Sequence, residues 1–167
     1  MIAYPTEAVY GLGCDPDNQG AIEKILALKQ RERSKGLILI ASSVDQVQPY
    51  LEELPQEAQH RVLASWPGPF TWLWPAKADT SEWLRGDFAT LAVRVTAHPL
   101  ARELCQLFGK PLVSTSANLS GQPPARTAAE VRKQLGEQID FVLEGEVGPH
   151  SSPTEIRDAL SGELIRG

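Results

Sequence analysis

The sequence predicts a single α/β domain, residues 1–167, built on a twisted mixed sheet with helices flanking it. Three observations lead there. Apolar segments of strand length alternate with amphipathic stretches at helical spacing, turn residues punctuate them, and no internal repeat or low-complexity linker divides the chain. With 167 residues, 42% of them apolar, the chain has the size of one domain and the means to fill its core.

Taken in order, residues 1–4 read as a strand broken at Pro5, which delivers Thr6, Glu7 and Tyr10 into a loop closing at Gly11-Leu12-Gly13. This Gly-x-Gly is no dinucleotide fingerprint, since the third glycine position holds Pro16, and the chain has no Gly-Lys-Ser/Thr of a P-loop. Ala21, Ile22, Ile25, Leu26 and Leu28 predict an amphipathic helix over residues 21–30, with Asn18 or Gln19 near its start. A strand follows over 37–41. Residues 44–54 and 56–64 read as two helices separated by Pro55. The rigid turn Trp66-Pro67-Gly68-Pro69 then places Thr71 at the entry to a strand over 72–74. Residues 90–96 form a strand with one charge, Arg94. His98-Pro99 opens a helix over 100–108, with the proline at a first-helical position. Leu112 and Val113 end a buried strand, Thr127 caps a helix over 128–135, and residues 139–143 and 163–166 are the last strands.

A net charge of -5 excludes a uniformly basic nucleic-acid binder, so any polyanion meets a local patch. Cys14 and Cys105 have no second Cys or His at metal-ligand spacing, which speaks for buried thiols in a reducing compartment rather than a zinc site or a disulfide framework. No apolar run approaches the ~20 residues of a membrane span, and Met1 opens no signal-peptide pattern, so the expected location is the cytoplasm.

Three features carry chemistry. Residues 24–35 hold Lys24, Lys29, Arg31, Arg33 and Lys35 against Glu32 alone, either a solvated helix end or an anion patch. Arg94, buried in an apolar strand, would cost several kcal/mol without an anion to meet, which makes it a stronger site candidate than a surface arginine. Residues 111–121 run from a strand into Ser114, Thr115, Ser116, Asn118 and Ser120. These side chains turn either toward a ligand or back to their own backbone. His98 reads equally as a cap or a packed ring. Trp66, Trp72 and Trp74 lack alternating cations and read as packing rather than as a base-stacking platform. No Gly-x-Ser-x-Gly elbow accompanies the serines, so none is read as a nucleophile.

Together, Pro5-Thr-Glu-Ala-Val-Tyr-Gly-Leu-Gly13, Lys29-x-Arg31, Pro67-Gly-Pro-x-Thr71, Ala92-Val-Arg-Val-Thr-x-His-Pro99 and Ser114-Thr-Ser-Ala-Asn-Leu-Ser-Gly121 resemble the YrdC/TsaC family of threonylcarbamoyl-AMP synthases. The tail Pro153-Thr-Glu-Ile-Arg-Asp158 resembles its short bacterial type. The resemblance spans nearly the whole chain and implies a reaction joining L-threonine, bicarbonate and ATP, with Mg²⁺ carried by the nucleotide and no metal-ligating side chains. The product feeds partner proteins of TsaD, TsaB and TsaE type that modify tRNA. It further implies a deep, concave, positively charged groove that shields water-labile intermediates.

By the same resemblance Lys29 and Arg31 are catalytic, and Lys35 joins them at the phosphates. Thr6 and Tyr10 hold threonine, and Arg94 faces its carboxylate or the carbamate. Ser114, Ser116 and Asn118 bind the nucleotide and the threonyl group, Ser152 or Thr154 closes the site from the tail, and Thr71 and His98 complete the lining. The chain departs from the pattern in lacking the family's helix before the first strand and the C-terminal extension of longer relatives. It also carries Glu32 where many members have proline, which sets a negative charge beside the phosphates. The competing reading is a noncatalytic RNA-binding module using the 24–35 patch, which net acidity disfavours. A carbamoyl-transfer module of the hydrogenase-maturation kind is a third.

Overall fold

The computed structural model describes residues 1–150, 152 and 154–166. Pro153 of the tail motif lies outside the described residues. The elements are β1 (Ile2–Pro5), β2 (Tyr10–Gly13), α1 (Gln19–Lys29), β3 (Ile38–Ala41), α2 (Val44–Val47), α3 (Gln56–Ser65), β4 (Phe70–Pro75), α4 (Glu82–Arg85), β5 (Thr90–Val95), α5 (Pro99–Phe108), β6 (Leu112–Ser116), α6 (Ala128–Leu135), β7 (Phe141–Val142), β8 (Glu155–Asp158) and β9 (Leu164–Arg166). The strands form one mixed sheet in the order β7-β1-β2-β6-β3-β5-β4-β8-β9.

Most expected elements are present, and the departures have local causes. Residues 10–13 are a strand, β2, paired antiparallel with both β1 and β6. Its glycines serve close approach, because a Cβ at Gly13 would collide with Val113 O and lie 2.7 Å from Tyr4 Cε1. The expected helix over 44–54 stops at Val47 and tightens into a 3₁₀ turn, Gln48–Tyr50, where Pro49 cannot continue the α-helical ladder. Two short elements, α4 and β8, were not expected. α4 spans a single turn, and β8 begins within the hydroxyl-rich tail, so neither carries enough periodicity to read.

The end of α1 reverses the chain. Asn18 caps the start of this helix by accepting from Ala21 N, and at its end Gln30 adopts a left-handed conformation, φ 48°, donating its N–H back to Ala27 and Leu26. Through that reversal Lys29 and Arg31 leave the helix together.

The two faces of the sheet have different fates, and register shows why. Trp72, Val93, Leu39 and Val113 are lateral neighbours across four strands on one face. All are buried in the main core with Ile22, Ile25 and Leu26 of α1 and Ala58 and Val62 of α3. On the other face Leu73, Ala92, Ile38 and Ser114 form a row. One step along, Arg94, Ile40 and Leu112 form the next. Helix α5 covers this second row, since Ala101 and Cys105 pack on Ile40, Leu112 and Tyr4, with Ile38 at the margin. Leu73, Ala92 and Ser114 of the first row join no core cluster among the described residues, and that row is left as a floor. Both cysteines are free and buried, and burial pushes their thiols up to about 12, so they remain protonated.

Candidate functional site

Above that floor lies a groove of about 470 Å³ whose lining includes Ala92, Ile38 and Leu73 below. Ser114, Thr115 and Ser116 from the end of β6 line it, together with four cations: Arg31, Lys35, Arg85 and Arg166. They come from three separate places: the turns after α1, the end of α4, and β9 beyond β8. Apolar Phe88 and Ile165, 56% and 55% exposed, stand in the same lining.

Burial and crowding together lower two cations here, Lys29 and Arg31. Burial first, and then the neighbouring Arg31, pushes the Lys29 ammonium down to about 8. Burial and then Arg166 likewise lower Arg31. A polyanion bound beside them would relieve that crowding. The contrast is a second cavity of about 370 Å³ at Asp17, Tyr50 and Lys110, whose lysine is already neutralised by Asp15 at 2.6 Å and Asp17 at 2.5 Å.

Lys29 stands behind the hydroxyl wall. Its Nζ donates to Ser116 O at 2.8 Å, Ser116 Oγ at 3.2 Å, Asn118 O at 3.1 Å and Asn118 Oδ1 at 2.7 Å. The Asn118 amide donates in turn to Leu119 O and Gln122 O, and Ser116 Oγ donates to Asn118 Oδ1. Side chains of residues 111–121 turn both ways. Asn118 turns inward to tie the strand end to α1, Ser116 lines the groove with its Oγ held in that same knot, and Ser114 lines the groove beside it.

Next to the floor, in the row of Ile40, sits Arg94. Its anion is internal: Nε lies 3.7 Å from Oε2 of Glu7, with both side chains over nine-tenths buried. Its Nη1 donates to Thr154 Oγ1 at 3.0 Å and Thr71 Oγ1 at 3.5 Å. This brings together Arg94, Thr71 and Thr154, from β5, β4 and the residue before β8.

The remaining candidates lie at one remove. Thr6 Oγ1 closes its own turn on Val9 O at 2.6 Å. Tyr10 OH contacts Leu143 O and Gly145 O and accepts from Gly145 N. His98 caps α5 by accepting at Nδ1 from Leu100 N, and its Nε2 lies 2.7 Å from Glu146 O. The backbone of Gly148 donates to Thr6 O. Thr6, Tyr10 and His98 therefore hold the returning tail rather than the groove. Ser152 is on an exposed bend. Sequence reasoning missed Glu7, Arg85 and Arg166. Glu7 lies within the motif Pro5–Gly13, but nothing local signals that it would face Arg94.

The sequence pattern of the Sua5/YciO/YrdC family, described as "Telomere recombination", matches residues 1–167. A threonylcarbamoyl-AMP synthase of Photorhabdus laumondii is 57% identical over 168 residues, covering 99% of this chain and 88% of that protein. Among solved structures, P. abyssi Sua5 complexed with L-threonine superposes with a TM-score of 0.87 at 31% identity, over 94% of this chain and 46% of that one. The chain thus spans about half the length of that protein. E. coli YciO superposes with a TM-score of 0.84 at 25% identity, over 99% of this chain and 81% of that one.

Proposed function

The chain belongs to the Sua5/YciO/YrdC family, and from that membership we propose that it is an L-threonylcarbamoyladenylate synthase, a nucleotidyltransferase of tRNA modification. The reaction joins L-threonine, bicarbonate and ATP. The threonine nitrogen bonds to the bicarbonate carbon with loss of water, and an oxygen of the resulting carbamate attacks the α-phosphorus. The bond to the bridging oxygen breaks, and pyrophosphate leaves with the electron pair.

The observation that carries this reading is the convergence of Arg31, Lys35 and Arg166 with Ser114 and Ser116 on one groove. An anionic carbamate must approach an anionic triphosphate, so fixed cations are what the transition state requires. Arg31, Lys35 and Arg166 offset the charge of the phosphates, and Lys29 adds its field from behind while fixing the serine wall. The hydroxyls of Ser114 and Ser116 orient the substrates without reacting, and positioning supplies most of the rate. Arg94, steadied by Thr71 and Thr154, receives the threonine carboxylate. Thr6, Tyr10, His98 and Asn118 act through the loops they fix, and Ser152 closes the groove from the tail.

Among the described residues no cluster of three or more His, Cys, Asp or Glu side chains could hold a metal ion. In this reading Mg²⁺ travels with the triphosphate, and no step is assigned to it. The product passes to partner proteins of TsaD, TsaB and TsaE type in the cytoplasm, and any direct RNA contact would use the same cations. The test is pyrophosphate release from ATP with threonine and bicarbonate supplied or omitted. Release requiring both is expected; release indifferent to threonine would sink the reading.

A further inference from the structure

We propose that Glu7 is the positioning residue of Arg94, and that it sets the affinity of the site for the threonine carboxylate. This rests on the reading that Arg94 receives that carboxylate. Glu7 is itself pinned: Thr96 Oγ1 donates to its Oε1 at 2.8 Å, and the backbone N–H of His98 donates to Thr96 Oγ1 at 3.1 Å. One carboxylate oxygen is thereby fixed by a strand end, and the other is left facing the guanidinium.

The pair is not an ordinary buried ion pair. At 3.7 Å, Glu7 Oε2 and Arg94 Nε are too far apart for a hydrogen bond. Among the described residues these two atoms are also the buried side-chain nitrogen and oxygen atoms that have no hydrogen-bond partner. A pair serving stability alone would close, because unmade bonds in a buried place are costly. Held apart, the carboxylate offsets the charge of the guanidinium without capturing it. Thr71 and Thr154 fix the opposite side through Nη1. The guanidinium is thus gripped from the β1–β2 loop, β4 and the approach to β8, while its Nη2 makes no hydrogen bond among the described residues. Orientation is what such a grip provides, and a carboxylate bound by a planar fork depends on orientation.

The experiment measures binding of L-threonine and of ATP separately by calorimetry, alongside kcat and KM, for Glu7→Gln, Glu7→Asp, Thr96→Val and Arg94→Ala. Glu7→Gln keeps the shape and Glu7→Asp keeps the charge but retracts it. Both are expected to weaken threonine binding by about tenfold or more, with ATP binding within about twofold of wild type. Thr96→Val frees the Glu7 rotamer and is expected to weaken threonine binding by about threefold. Adding Glu7→Gln to Arg94→Ala should produce no further loss.

Unchanged or tighter threonine binding in folded Glu7→Gln overturns the proposal, as does a lowered melting temperature with wild-type threonine affinity in the folded fraction. If Glu7→Gln does not fold, Glu7→Asp and Thr96→Val decide alone, and wild-type affinity in both overturns it. Folded Arg94→Ala with wild-type threonine affinity would instead overturn the assignment of Arg94, a result distinct from failure of Glu7 to position it.

Discussion

Deprotonation of Lys29 acts in opposite directions on turnover and on stability. Its ammonium ties α1 to Ser116 and Asn118, and its charge sits behind the groove. With its pKa pushed down to about 8, turnover should fall as pH rises through that value, and Arg31→Gln, which removes the second cause of the shift, should move the midpoint upward. The stability effect has the reverse sign. Between about 8 and the ordinary 10.5 the unfolded chain binds the extra proton, so the contribution of this group to stability rises with pH over that window. A pH–rate profile and denaturant melts on the same protein check both directions. Lys29→Met should cost about a hundredfold in kcat/KM, beyond what loss of Arg31 alone costs if the field and the knot both matter. Arg94 shows what single residues disclose in sequence. A lone charge in a buried strand announces that an anion is near, but not which one, and folding alone brings the partner, Glu7, across from the other end of the chain's first loop.

At the scale of elements, the sequence is most readable where period and caps agree. α1, α5 and α6 have both: Asn18, His98 and Thr127 each accept from the first turn they precede. Thr127→Ala should destabilise by about 1 kcal/mol, read by denaturant melts, because Thr127 Oγ1 accepts from Glu130 N at 3.1 Å. β2 was unreadable for a physical reason. Four residues with two glycines look like a loop, and only the Val113 backbone and the Tyr4 ring crowding Gly13 make glycine a requirement there. Gly13→Ala should therefore cost about 1–3 kcal/mol by the same measurement, since backbone at Val113 must move to admit the methyl.

For the molecule as a whole, the mixed sheet and its flanking helices were legible from the alternation of segments, whereas the groove was legible only in parts. Arg31, Lys35, Ser114 and Ser116 could be chosen by type and context; Arg85 and Arg166 could not, because α4 is a single turn and Arg166 looks like the end of an edge strand. The tail is held across the first loop by Tyr10 OH at Leu143 and Gly145. Tyr10→Phe should cost about 1–3 kcal/mol and speed proteolytic cleavage within residues 143–150, because it leaves those backbone groups unpaired. The place of β8 and β9 has a consequence for biosynthesis. Both strands are translated after the rest of the sheet, so the edge of β4 stays open on the ribosome until residues 155–158 emerge. Thr154 and Arg166 arrive in that same final stretch. A nascent chain thus buries most of its core before the segment that adds Arg166 to the groove lining has been made.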